Sequence, residues 1–198
     1  MTDRHNRLSQ AIERLDALHA EDPRIERVEG REVPYELLYA QRMSAWLEKI
    51  NPEPSEALRL AVRAQHLQRW RLPRDDYPRD RPGYLAWRRE LGRRQAEQAS
   101  AVLSEVGYEP ETCERVAAMI RKEELKHNAD TQALEDAACL VFLNHYFNDF
   151  IEQHRGEEGK LERIVRKTWH KMSPRGHELA ATIPLSAEEQ AVVQRALQ

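Results

Sequence analysis

Leu134-Glu135-Asp136-Ala137-Ala138-Cys139-Leu140-Val141-Phe142-Leu143 is the stretch that decides the fold. It sits in a run from about residue 131 to about 154 that no Gly or Pro interrupts. A helix apolar on nearly every side has to be buried, so the run predicts a central helix wrapped by others. Two carboxylates lie inside it. Burying either as an isolated charge costs several kcal/mol unless it meets a cation, a metal or hydrogen-bond donors. Successive helical residues point about 100° apart, so at least one of Glu135 and Asp136 faces inward. They read either as a metal ligand and a catalytic acid or base, or as a structural ion pair with an inward arginine.

Outward from this run, apolar residues keep recurring at helical spacing. Leu8, Ile12, Leu15 and Leu18 predict a helix over 3–20. Pro34 suits the first position of a second, to about 51, with Met43, Trp46 and Leu47 apolar. Pro54-Ser55 opens a third, with Leu58, Val62, Leu67 and Trp70, which should run until Pro73 stops it. Further helices are expected over 83–106, ended by Gly107, over 110–127, and over 161–172, with a short piece at 177–181. Asp130 or Thr131 would cap the central helix, and Ser186-Ala187-Glu188-Glu189 is a capping box opening the last. Residues 24–33 are charged and irregular, with a turn at Gly30, and no stretch alternates convincingly as a strand. The prediction is one all-α domain, residues 1–198, of about eight helices with a long Arg/Pro/aromatic loop after the third.

Composition narrows the function. At 198 residues the chain can bury a sizeable core without metal or disulfide staples. A formal charge of -3 argues against general nucleic-acid binding, and 7 glycines leave little room for a glycine-rich phosphate loop. Cys113 and Cys139 fall inside helical patterns, as buried reduced thiols of a cytoplasmic protein would. Met1-Thr2-Asp3-Arg4-His5 lacks the apolar run of a signal peptide, and no apolar run approaches the roughly twenty residues that span a bilayer. A homo-oligomer stays open.

The chemistry gathers around Ala64-Gln65-His66-Leu67-Gln68-Arg69-Trp70-Arg71-Leu72-Pro73-Arg74-Asp75-Asp76-Tyr77-Pro78. His66 stands three residues after Arg63 and three before Arg69, so all three can share one side of a helix. Neighbouring cations disfavour a protonated imidazole and leave a neutral ring able to hold a metal or accept a proton. Arginine forks match phosphate or carboxylate geometry. With Arg74, Tyr77, Tyr84 and Trp87 the stretch reads as the rim of an anion-binding pocket. The plainer reading has a core histidine, aromatics that pin the loop, and arginines paired to Glu135, Asp136, Asp75 and Asp76. The segment 167–177 is a second polar-aromatic cluster that could close the pocket from another side. A nucleophile elbow, paired metal-binding cysteines and a two-histidine zinc helix are all missing.

Gln65-His66-Leu67-Gln68-Arg69-Trp70, Pro73-Arg74, Tyr77-Pro78, Gly83-Tyr84-Leu85-Ala86-Trp87-Arg88, the 134–143 run and Lys167-Thr168-Trp169 together resemble the bacterial and fungal family called domain of unknown function 4202. The helix order is more distantly similar to the HD-domain metal-dependent phosphohydrolases. That resemblance puts His66 at the histidine of the His-Asp pair and Asp136 at the late aspartate. Gln41 or Arg42 stands near the first histidine position, Leu67 replaces the paired aspartate, and Gln95 and Lys122 lie where further histidines sometimes sit.

The resulting expectation is a hydrolase of a small phosphorylated metabolite or nucleotide with a remodelled HD-like site. In it Asp136, with Glu135, holds a divalent metal or activates water, and His66 is a metal ligand or general acid. Arg42, Arg63, Arg69, Arg74 and Lys122 stabilise phosphate charge, with Tyr77 at the rim. The alternative is a non-catalytic HD-like module that binds an anionic small ligand through an arginine-rich pocket; a third is a purely structural or partner-binding helical protein. Convergence of His66, Glu135 and Asp136 on one metal position would separate catalysis from binding.

Overall fold

The computed structural model describes the backbone of residues 2–198 and all side chains there except those of residues 2–5 and 158. Met1 and the side chain of His5 therefore lie outside the described part. The chain runs α1 (Thr2–His19), β1 (Ile25–Val28), β2 (Arg31–Pro34), α2 (Tyr35–Ile50), α3 (Glu56–Arg63), α4 (Arg81–Val106), α5 (Pro110–Ile120), α6 (Ala129–Val141), α7 (Phe147–Gln153), α8 (Glu158–Lys171), α9 (Pro174–Ala180) and α10 (Ala187–Leu197). The fold is all-α, with ten α-helices among the described residues rather than about eight. No helix among them is long and apolar enough to cross a membrane.

The central helix is as the sequence predicts. Leu134, Ala137, Leu140 and Val141 of α6 are fully buried, and α6 packs against α2, α3 and α9. Met43, Leu58, Leu60, Val116 and Met119 close the core around it. Several helix ends are as expected too. Ser55 caps α3, Gly107 ends α4 with a left-handed φ of 91°, and the Ser186–Glu189 capping box opens α10. Asn128, not Asp130 or Thr131, caps α6 by accepting from the N–H groups of both.

Four departures from the sequence expectation shape the molecule. Residues 25–34 form an antiparallel hairpin, Ile25 opposite Pro34, turned by Glu29 and Gly30 at φ 51° and 77°. Strands of four residues, two of them charged in each, are too short to show alternation, and Pro34 ends one of them instead of starting a helix. The third helix stops at Arg63, so His66 and Arg69 are not on it. The fifth stops at Ile120. Lys122 there takes φ 58°, and the N–H groups of Lys122 and Glu123 return to Met119 O and Ala118 O at 2.9 and 3.0 Å, a left-handed helix stop on a residue that is not glycine. Finally, residues 142–146 widen into a π-turn that splits the expected 131–154 helix into α6 and α7.

The loop between α3 and α4 is pinned rather than free. Leu72, Trp87 and Leu91 make a second small core, Tyr77 packs on it, and Trp87 Nε1 donates to Leu72 O at 3.0 Å. Arg74 donates to the carbonyls of Tyr77 and Pro78 at 2.8 and 2.6 Å. Any Cβ at position 83 would collide with the Pro78 carbonyl oxygen, so only Gly83 lets the loop lie on α4.

Candidate functional site

The turn after α3, the face of α4 and the end of α5 enclose a cleft of about 50 Å³. Its polar wall is Gln65, His66, Arg88, Gln95, Lys122 and Arg121, the last paired to Glu114 and Glu123 at 2.6 Å. Gly92 lies in the wall, where α4 and the end of α5 come close: a Cβ there would be in ordinary contact with the Arg121 Cα at 3.7 Å. His66, Gln68 and Lys122 have φ of 65°, 47° and 58°. Each non-glycine residue held left-handed costs about 1–3 kcal/mol and persists only where its surroundings over-determine it, as at ligand sites.

His66 is fixed on several sides. Its ring stacks on Tyr39 with centroids 4.2 Å apart and planes 14° apart. Arg69 Nη1 donates to Nε2 at 2.9 Å and stands 3.5 Å from Nδ1. A guanidinium only donates, so Nε2 is the bare nitrogen and the proton sits on Nδ1, 3.5 Å from Glu36 Oε2. Burial first, then the charges of Arg69, Arg88 and Lys122, hold the His66 pKa well below the ordinary histidine value. The ring is neutral at physiological pH, as the sequence implied, but burial is the largest cause and the arginines that add to it are Arg69 and Arg88, without Arg63.

Glu36 is the buried acid that sequence reasoning missed. It is 1 % exposed, it accepts from Arg24 at 2.8 Å, and burial raises its pKa. Asp22 anchors it by accepting from the Glu36 N–H at 3.1 Å and from Arg24.

Glu135 lies beneath the cleft, 3 % exposed, bonded to Lys122 and 3.4 Å from Lys171. Burial pushes its pKa up, but the two lysines outweigh that and hold it below the usual carboxylate value. The inward cations are thus lysines where an arginine was expected. Lys171 ties the 167–177 cluster to Glu135, and no residue of that cluster is in the cleft wall. Asp136, 1 % exposed, is turned to a different task. Its oxygens accept from Ser173 N–H at 2.8 Å, Ser173 Oγ at 2.5 Å and Gln132 at 3.0 Å, which fixes the start of α9.

The other expected residues are distributed elsewhere. Arg42 pairs with Glu26 and Tyr146 OH, each at 2.8 Å. Arg63 pairs with Asp16 at 2.6 Å and with Ser44, because α3 ends there and the chain turns before His66. Arg74 and Tyr77 hold the loop together as described. Of the proposed anion-binding side chains, Lys122 lines the cleft and Arg69 stands behind it against His66. Arg88 joins them, and among the described residues neither Arg69 nor Arg88 has a carboxylate within ion-pair distance.

These residues do not fit a divalent metal shared by His66 and Asp136. The Arg69 guanidinium occupies Nε2 of His66, Nδ1 carries its proton on the side of Glu36, and three donors already occupy Asp136. Among the described residues no group of three or more His, Cys, Asp or Glu side chains gathers where a metal could sit.

The cleft, its left-handed corners and its helices thus lie within the part of the chain that sequence comparison covers. The profile of the family described as Domain of unknown function (DUF4202) matches residues 9–193. The chain belongs to that family. No curated protein and no solved structure matches it. In this DUF4202 chain the missed cleft residues carried one legible signal. Arg88, Gly92, Gln95 and Ala99 share a stripe of α4 at i, i+4, i+7 and i+11, so an arginine and a glutamine lie on a face that also carries a buried alanine. Glu36 had none, since only the packing of the hairpin and α1 over the start of α2 buries it.

A pH dependence follows from the neutral ring. His66 has a depressed folded pKa, so its contribution to stability is present above the unfolded value of about 6.5 and is lost as pH falls toward the folded value. Buried His19, also lowered, acts in the same direction. Urea unfolding is therefore expected to show lower stability near pH 5.5 than near pH 7.5. His66→Asn, which tolerates left-handed φ, should flatten that decline. An unchanged slope in the variant would mean that His66 protonates freely in the folded chain.

Proposed function

We propose that the cleft binds the phosphoryl group of a small phosphorylated metabolite. The observation that carries this reading is Arg88, which lines the cleft beside Lys122 with no carboxylate partner among the described residues, while Arg69, equally without one, stands behind the wall against His66. Arg69 has its pKa lowered, by burial first and in part by the charge of Arg88. Two guanidiniums and a lysine held together repel one another unless an anion sits among them. Arg88 supplies the planar fork suited to phosphate oxygens and Lys122 a point charge anchored by Glu135. About 50 Å³ is room for a few waters or one tetrahedral oxyanion.

Hydrolysis of the bound ester is the second reading, favoured by Glu36. Its Oε2 is sealed from solvent, has no hydrogen-bond partner among the described residues and faces His66. A carboxylate with a raised pKa is suited to accept a proton from water, while the cations stabilise charge on the phosphoryl group. In that reading the scaffold is of the HD-domain type, with arginine and lysine charge standing where metal ligands would lie.

Isothermal titration with orthophosphate and simple phosphate monoesters tests the proposal. Saturable one-to-one binding that weakens with salt is expected; no heat with any of them at millimolar concentration overturns it. Orthophosphate release from a bound ester, lost in Glu36→Gln while binding persists, would select hydrolysis.

A further inference from the structure

Two glutamine amides in the cleft wall are left over by phosphate binding. Gln65 and Gln95 are each 4 % exposed, and both face the cleft. Gln65 Oε1 and Gln95 Nε2 are sealed from solvent with no hydrogen-bond partner among the described residues. A buried amide group left unpaired costs about 1–3 kcal/mol. Whichever way each amide is turned, it offers one donor and one acceptor side. A phosphate dianion presents only acceptors, so it can satisfy an amide N–H but not an amide oxygen. The group that completes both is a hydroxyl, which donates and accepts.

A second cavity, of about 280 Å³, adjoins the first and shares Leu91 and Gln95 with it. Leu67 and Leu72 make it partly apolar, while Gln68 and Gln98 add amides at its wall. Gln95 therefore stands between a small cationic cleft and a larger cavity of mixed polarity.

We infer that the ligand is a hydroxylated phosphate monoester of the sugar-phosphate type. Its phosphoryl group lies against Arg88 and Lys122, its nearest hydroxyls meet Gln65 and Gln95, and its carbon body extends past Gln95 into the larger cavity. This rests on the phosphate reading above.

The test compares ribose 5-phosphate, pentyl phosphate and orthophosphate by calorimetry, on the wild-type chain and on Gln65→Leu and Gln95→Leu. Ribose 5-phosphate is expected to bind about tenfold or more tighter than pentyl phosphate, because a site built to bond hydroxyls rejects the analogue that lacks them. Each substitution should lower ribose 5-phosphate affinity about tenfold more than it lowers orthophosphate affinity. If pentyl phosphate binds as well as ribose 5-phosphate, or the variants weaken all three alike, the hydroxyl reading falls while the phosphate site stands. If none of the three binds, the phosphate site falls as well. Should a leucine variant fail to fold, Gln95→Asn, which shortens the reach but keeps the amide, serves in its place, and the wild-type comparison of the two esters still decides.

Discussion

Arg88→Ala should weaken binding of a phosphate monoester by roughly 10- to 100-fold, since hydrogen bonds to a charged group are worth about 1.5–3 kcal/mol. The same substitution should leave the thermal midpoint unchanged or slightly raised. Arg88 has no carboxylate partner among the described residues, and its charge is among those that depress Arg69, His66 and Lys122. Removing it relieves repulsion without breaking an ion pair. Calorimetry and a thermal scan on the same preparation check both halves. A monoester affinity within twofold of wild type would take Arg88 out of the site. A clear drop in the midpoint would mean that the guanidinium has a structural role.

Glu135→Gln is expected to cost roughly 2–4 kcal/mol of stability at neutral pH. Breaking a sealed ion pair from one side costs about 3–5 kcal/mol. Lys122 keeps 21 % of its side chain exposed, which moves the expectation toward the lower end. The effect depends on pH with a definite sign. Glu135 has a lowered folded pKa, so its contribution is present above the ordinary value of 4.5 and disappears as pH falls through the lower folded value. Urea unfolding of wild type and variant should therefore differ most near neutrality and converge in acid. A difference at pH 7 no larger than the ~0.5 kcal/mol of a surface pair would show that Lys122 and Lys171 do not depend on Glu135.

Both predictions concern residues whose roles the sequence showed unequally. Glu135 was conspicuous because a carboxylate in an apolar helix demands a partner, and the identity of that partner came only with the fold. Lys122 and Lys171 are distant in sequence and reach Glu135 because α5 stops at a left-handed Lys122 and α8 ends at Lys171. Asp136 looked equivalent to its neighbour, yet the rotation between adjacent helical positions directs it to Ser173 instead. Arg63, Arg69 and Arg74 were alike as arginines near a histidine. A helix ending three residues before His66 divides them among Asp16, His66 and the loop's own carbonyls.

The sequence by itself determined the helical class, the buried central helix, the caps at Ser55, Gly107 and Ser186, and the neighbourhood of arginine and imidazole around His66. These follow from local chemistry: spacing of apolar residues, capping side chains and the types of group within a few positions. Tertiary structure alone decided which charges meet. It buried Glu36 under the hairpin, brought Arg88 and Gln95 of α4 against His66 and Lys122, and assigned Asp136 to holding α9. Those outcomes depend on where helices stop and which faces approach, and the left-handed residues just beyond those stops are His66, Gln68 and Lys122, not the glycine that marks such a position in a sequence.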